Sequence, residues 1–374
     1  MPAIEAVPNN AVAVARCLQG KAQAAHRNVD QSTSQNRPEV SIAVNAFLAN
    51  PAPLLDVRSP GEYEQAHIPG AKNLPLFSNE ERAAVGSCFK REGSKVAVKL
   101  GLELVAPRLL QLANQLEAEA KNGHLRLYCW RGGMRSSSVA WLAKTVGIDV
   151  QLLAGGYKSF RNWALAQFEL SWPICLLGGG TGSGKTAVLQ ALAKRGAAVV
   201  DLEKLANHRG SSFGGLGLPK QPSVEHFENC LAIELRGVNG MAPLWLEAES
   251  AQVGRCRIPH GIWKQMQLAP LVVLERPKEE RIAMLVEVYG SQCPKGLIEA
   301  TERLSRKLGP QRTARALSSI RNGDLSRACA EILDYYDRSY TSELARRQSS
   351  IERLDGGGKS IENIAQLLME LWAA

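Results

Sequence analysis

The sequence predicts an α/β protein of two units in tandem, each a parallel sheet covered by helices, the second ending in a helical C-terminal part. Three observations carry this. Short apolar strand candidates alternate with helix-length stretches from Val40 onward. Twice, an apolar strand runs straight into a glycine-bearing loop and then a helical pattern, at Leu125–Cys129 and from Trp172 through Leu177. Beyond Lys278 the strand signals give way to helices.

Length and composition agree with that class. A chain of 374 residues allows two to three domains at roughly 150 residues each. Hydrophobic residues at 45% and charged residues at 22% exclude wholesale disorder and fibrous architectures. No run approaches the ~20 consecutive apolar residues of a membrane helix, and MPAIEAVPNN lacks the basic-then-apolar layout of a secretory signal. The expectation is a soluble, cytoplasmic monomer with no membrane partner. Lys plus Arg total 45 against 36 Asp plus Glu, a net charge of +9, which favours a polyanionic partner, a merely basic enzyme being the even alternative. The eight cysteines lie far apart without a C-x-x-C pair, so neither a zinc knuckle nor a disulfide framework is expected.

In chain order, residues 1–38 read as a flexible extension with a short helix over Asn10–Leu18. The first unit spans 39–168. It has a helix over Ile42–Leu48, strands at Pro53–Val57, Leu125–Cys129 and Val150–Leu153, and helices around Leu100–Ala120 and Ser136–Thr145. Gly155-Gly156-Tyr157-Lys158-Ser159 interrupts the pattern before a helix to about Leu170. The second unit, 169–374, adds strands at Ala198–Leu202, Leu244–Glu247 and Leu271–Glu275 and a helical region over about 278–374.

The first constellation is Cys129-Trp130-Arg131-Gly132-Gly133-Met134-Arg135-Ser136. A cysteine at the carboxyl end of a parallel strand stands where open α/β sheets place ligands. The two glycines let backbone amides turn inward and the following helix adds its positive end, a nest for an oxyanion or a thiolate. Arg135 can close the cradle with a bidentate contact. These residues, with Asp56-Val57-Arg58-Ser59-Pro60-Gly61-Glu62-Tyr63 and His67-Ile68-Pro69-Gly70-Ala71-Lys72-Asn73 upstream, resemble the rhodanese superfamily. The resemblance implies that Cys129 carries a transferable sulfur or selenium. Many single-domain sulfurtransferases place the arginine five positions after the cysteine. Here it stands at six, which is similar to rhodanese-fold phosphatases and arsenate reductases that hold a tetrahedral oxyanion.

The second constellation, Gly179-Gly180-Thr181-Gly182-Ser183-Gly184-Lys185-Thr186, matches G-x-x-x-x-G-K-[ST] between a strand and a helix. Its amides wrap a di- or triphosphate, Lys185 neutralises it and Thr186 holds Mg²⁺. Glu247 and Glu249, at a strand end, are candidates for the metal or its water, with Asp201 able to serve similarly and solvated charges as the alternative. A P-loop establishes that a polyphosphate binds and does not establish hydrolysis.

The pairing of a rhodanese-like unit with a P-loop NTPase-like unit resembles the tRNA 2-selenouridine synthase family. The likeness extends through Glu80–Lys90, Gly101, the Gly155–Lys158 turn, Asp201-Leu202-Glu203, His208-Arg209-Gly210-Ser211, Gln221-Pro222-Ser223, Phe227-Glu228-Asn229 and Glu247–Ser250. It extends also through Tyr335–Tyr340, where Arg338 stands in place of an expected proline. The resemblance implies two steps at the wobble uridine of tRNAs for Lys, Glu and Gln. The 2-thiouridine sulfur is geranylated with geranyl diphosphate held by the P-loop. Selenium from selenophosphate, supplied by selenophosphate synthetase and carried on Cys129 as a perselenide, then replaces the geranylated sulfur. On this reading Arg131 and Arg135 hold phosphate, aided by the loop of Trp130, Gly132, Gly133, Met134 and Ser136, and Mg²⁺ sits at Thr186 and Glu247. No tightly bound cofactor is expected. The reading requires Cys129 at an accessible groove.

His208, Arg209 and Ser211 read as a loop near the diphosphate or the base, a solvated loop being the alternative. Gly101 serves backbone approach or caps a helix. Tyr335, Tyr336 and Tyr340 read as core packing ahead of base stacking. Arg303, Arg306, Lys307, Arg312, Arg315 and Arg321 are candidate tRNA phosphate contacts, a solvated helical face being equally compatible with any one of them. Two rival readings remain: a P-loop kinase or NTPase fused to a sulfurtransferase acting on a small molecule, and a rhodanese-fold phosphatase.

Overall fold

The computed structural model describes residues 40–238 and 242–373. The extension over 1–38, with its helix at Asn10–Leu18, lies outside the described residues. Among the described residues two five-stranded sheets form the frame. The first holds β1 (Val40–Ile42), β2 (Leu54–Asp56), β3 (Lys72–Asn73), β4 (His124–Tyr128) and β5 (Asp149–Leu153) in the order β1-β5-β4-β2-β3. The second holds β6 (Ile174–Gly179), β7 (Ala198–Val200), β8 (Leu244–Glu247), β11 (Leu271–Glu275) and β12 (Ile351–Asp355) in the order β12-β11-β6-β8-β7, parallel throughout. Between them in sequence, β9 (Gln252–Val253) and β10 (Cys256–Arg257) make a small antiparallel pair.

The strands adjoining both glycine loops occur where the apolar runs predict them. β12 does not: it lies in the stretch read as mostly helical. Its Ile-Glu-Arg-Leu-Asp sequence is largely exposed at the sheet edge, so no apolar run marks it. The long helix around Leu100–Ala120 is two helices, Ser94–Val105 and Leu109–Glu119, separated by a 3₁₀ turn at Ala106–Arg108. Pro107 sits in that turn and has no N–H to continue an α-helix.

The two sheets share one core. Tyr128, Leu153, Tyr157 and Phe160 from the first unit pack in the same cluster as Val200, Phe227 and Leu231 from the second. Helices Gly156–Gln167 and Val224–Arg236 meet at this seam. Asn229, fully buried there, donates to His67 O (3.0 Å) and to the Tyr157 hydroxyl (2.7 Å), and accepts from Arg161 Nη1 (3.0 Å). The Tyr157 hydroxyl donates to Glu225 Oε1 at 2.6 Å, and Arg161 also pairs with Glu228. Phe227-Glu228-Asn229 is therefore the joint between the units. Asn229→Ala orphans the His67 carbonyl and one Arg161 donor, so an unfolding free energy lower by about 1–3 kcal/mol is expected from urea denaturation.

Two further clusters line the outer faces, one under helices Leu109–Glu119 and Met134–Thr145, the other between helices Lys185–Lys194 and Ile361–Ala373. Among the described residues no helix is long and apolar enough to cross a membrane.

Candidate functional site

Leaving β4, the chain turns at Cys129 and enters helix Met134–Thr145 five residues later. The amides of Arg131, Gly132 and Gly133 meet no protein acceptor among the described residues, so they remain available to an anion. The turn is held from the β5 side. Tyr157 N donates to Cys129 O at 2.8 Å and Lys158 N to Trp130 O at 2.9 Å. Gly156, at φ +60°, packs so closely that a Cβ there would lie 2.4 Å from both Cys129 O and Gly132 N. Gly132, at φ +66°, would meet Leu153 O at 2.8 Å. The Gly155–Lys158 motif is thus a buttress for the cysteine turn. Beneath it the fully buried Arg58–Asp56 ion pair (2.6 Å) sets its guanidinium 4.0 Å from the Tyr157 ring.

Cys129 itself is 3% exposed. Its Sγ lies 3.2 Å from Ser136 Oγ and 3.8 Å from Gly133 O, and it shares an apolar cluster with Leu76, Phe77, Val105 and Leu112. The sequence predicts a thiol at an open groove; the structure buries it instead, against Ser136 and apolar side chains. Arg131 is exposed. Arg135 does not close over the nest as expected: it pairs with Glu62, at 2.7 Å and 3.3 Å. Burial pushes the Glu62 carboxyl up, but the hydrogen bond and charge of Arg135 outweigh it and hold Glu62 below the usual carboxylate range. Gly101 is no helix cap. It sits inside helix Ser94–Val105, where a Cβ would come within 3.3 Å of Phe77 Cζ.

The second loop follows β6. Gly179, Gly182 and Gly184 have φ of +147°, +82° and +88°, conformations that side chains rarely adopt. Lys185 opens helix Lys185–Lys194 and its Nζ donates to Gly179 O at 3.1 Å. Arg281, nearly buried, braces the loop: its Nε donates to Thr181 O (2.9 Å), Asp337 holds it by an ion pair (2.5 Å), and a Cβ on Gly180 would touch its Cζ at 2.8 Å. Sequence reasoning missed Arg281; the signal was Asp337 inside the Tyr335–Tyr340 stretch. Arg338 lies within the unbroken helix Leu325–Leu344, so its departure from proline loosens no turn. Tyr335 and Tyr336 pack into the helical core, and the Tyr336 hydroxyl accepts from Ser212 N at 3.2 Å.

Below the P-loop, Thr186 Oγ1 donates toward Glu247 Oε1 (2.6 Å) and Glu203 Oε2 (3.1 Å). Oxygens of Glu203, Glu247 and Glu249 lie within 4.8 Å of one another. Asp201 does not join them: it caps helix Leu202–Ala206 by accepting from Lys204 N at 2.8 Å, and Glu203 takes the place expected for it. Burial first, then the neighbouring carboxylate, pushes Glu247 up to about 8 and Glu203 and Glu249 up to about 7. Among the described residues Glu247 Oε2 is buried without a hydrogen-bond partner. Hard oxygen donors, an orphaned carboxylate oxygen and mutual repulsion fit a divalent cation such as Mg²⁺, held by Thr186, Glu203, Glu247 and Glu249. The loop His208–Ser211 lies on this cluster: a Cβ on Gly210 would sit 2.8 Å from Glu249 Oε1 and 3.0 Å from Glu203 Oε1. Arg209 anchors the loop through Leu216 O at 2.9 Å, and burial lowers the His208 pKa.

This cluster has a pH signature. A carboxyl raised in the folded state favours folding while protonated, and that advantage is lost as pH rises through the folded values. Without metal, the melting temperature is expected to fall by a few degrees between pH 6 and 8.5. Mg²⁺ should restore it, and Glu247→Gln should flatten the slope in differential scanning fluorimetry.

The six basic candidates are spread over three helices, Pro294–Arg303, Ser305–Leu308 and Pro310–Arg321, with Gly309 breaking the run. Arg312 pairs with Asp334 (3.0 Å) and Arg315 with Glu331 (2.7 Å), while Arg303 reaches Ser212 O at 3.4 Å. Arg306, Lys307 and Arg321 are exposed.

Residues 43–162 match the rhodanese-like domain, and residues 172–323 match the tRNA 2-selenouridine synthase AAA domain. Proteins named tRNA 2-selenouridine synthase are similar along most of the chain. That of Marinobacter nauticus is 35% identical over 84% of this chain and 94% of its own length. That of Pseudomonas fluorescens strain Pf0-1 is 37% identical over 81% and 91%. That of Salmonella paratyphi B is 38% identical over 82% and 93%.

Proposed function

The chain belongs to the tRNA 2-selenouridine synthase family, and on that premise we propose that it converts the wobble 2-thiouridine of tRNAs for Lys, Glu and Gln to 2-selenouridine in two steps. In the first, the thiocarbonyl sulfur attacks the allylic carbon of geranyl diphosphate. The S–C bond forms, the C–O bond breaks, and diphosphate leaves into the P-loop. There the loop amides and Lys185 offset its charge, and Mg²⁺ at Thr186 and the carboxylates adds electrostatic stabilisation when bound. Alkylation is what makes the second step feasible: the base then loses a geranyl thiol, where direct displacement would have to expel sulfide.

In the second step Cys129 carries selenium to C2 as a perselenide, with the amide nest and Arg131 holding the phosphate of selenophosphate, supplied by selenophosphate synthetase. Selenophosphate holds selenium at the selenide level. Loading the cysteine therefore passes two electrons to an acceptor of the disulfide class, and a thiol returns them when the S–Se bond is cleaved. Over the whole exchange C2–S and P–Se bonds break, C2–Se forms, and water supplies the new phosphate oxygen.

The observation that carries the reading is the presence of two separate anion cradles, one built around a cysteine and one around a lysine and three carboxylates. A phosphatase needs only the first; a P-loop kinase or NTPase fused to a sulfurtransferase has both, and is separated by the modified nucleoside that forms. The test is nucleoside mass spectrometry of thiolated tRNA incubated in a thiol–disulfide buffer with geranyl diphosphate and selenophosphate, each substrate omitted in turn. Geranylated nucleoside without selenophosphate, and 2-selenouridine only with both, is expected; nucleotide hydrolysis with unmodified tRNA would overturn it.

A further inference from the structure

We propose that the apolar groove beside the Cys129 turn holds the geranyl chain of the S-geranylated base while selenium displaces its sulfur, an inference that rests on the two-step reading above. The groove, about 460 Å³, lies among helices Asn79–Glu92, Ser94–Val105, Leu109–Glu119 and Met134–Thr145. Arg135 is its one charged lining residue. Phe89, Leu102, Met134 and Trp141 line it while 54%, 65%, 60% and 63% exposed. Large apolar side chains grouped in the open mark a surface that something covers.

Position says what covers it. Met134 and Arg135 are the first residues of the helix that leaves the Cys129 turn. Leu76, Phe77, Val105 and Leu112, in the groove wall, share the Cys129 cluster. An apolar chain lying in the groove is thus attached to a head group at the thiol's own side of the sheet. Gly101 adds room: it lines the groove without a side chain, over the Phe77 ring.

Size separates this site from its competitor. An apolar cavity also adjoins the P-loop at Thr181, among Phe213, Leu285 and Ile332, but it measures about 50 Å³. A cavity of about 150 Å³ takes benzene, six carbons. The groove has three times that volume and accepts ten carbons; the smaller cavity does not. As C2–Se forms and C2–S breaks, the electron pair leaves on sulfur, which takes up a proton. The groove retains the departing geranyl thiol, so a long alkyl group is bound where a methyl group is not.

The probes are anticodon stem-loop RNAs carrying preformed S-geranyl or S-methyl thiouridine, each given selenophosphate. Leu102→Asp and Trp141→Ser alter exposed side chains, and their melting temperatures report folding separately. A KM for S-geranyl RNA raised about tenfold or more is expected in both variants, with S-methyl RNA unaffected and geranyl transfer from the diphosphate intact. Unchanged KM, equal loss on both RNAs, or concurrent loss of geranyl transfer would overturn the assignment. If the wild-type enzyme fails to exchange S-geranyl RNA, the two-step reading itself falls, an outcome distinct from variants that merely match the wild type.

Discussion

Cys129→Ser is expected to stop selenium incorporation, with a loss of at least a thousandfold on the order seen when an enzyme loses its nucleophile, while S-geranylated tRNA accumulates. The serine hydroxyl keeps the contact with Ser136 and nearly the same volume, so the turn and the core around it survive. What disappears is a polarisable sulfur nucleophile that can bond to selenium. Nucleoside mass spectrometry reads both halves of the result at once. Selenouridine formed by the serine variant at the wild-type rate would remove Cys129 from the chemistry.

Lys185→Ala is expected to do the opposite, abolishing geranylation by about a hundred- to a thousandfold, the scale of losing one preorganised charge partner in a transition state. Selenium exchange on preformed S-geranyl RNA should continue. The lysine sits at the mouth of the P-loop with its amine on Gly179 O, so its removal opens no core cavity. Geranyl transfer surviving in this variant would show that the P-loop serves another polyphosphate.

The sequence made both loops legible because each consists of glycines and charges at fixed spacing after an apolar strand. The fold class followed from the same strands. What it concealed was long-range partnership. Nothing near Arg135 announces that Glu62, 73 residues earlier, holds it. Arg281 and Asp337, which brace the P-loop, stand 56 residues apart on different helices. Glu203 was visible within Asp201-Leu202-Glu203, but choosing between the two acids required seeing Asp201 spent on a helix cap. The burial of Cys129 depends on how the β4 and β5 turns stack, which no local pattern encodes. The groove was unreadable for a related reason: its apolar residues sit on four helices, each of which alone resembles an ordinary helical segment.

The abutting glycines at 132 and 156 form a single steric constraint written at two places in the gene. A methyl group on Gly156 would strike Gly132 N, and one on Gly132 would approach Gly156 N at 3.1 Å. Neither position can drift alone without displacing the other's turn, so their substitutions should show strong epistasis. Evolutionary routes that reshape this corner of the protein must change both codons together or recruit a compensating shift elsewhere.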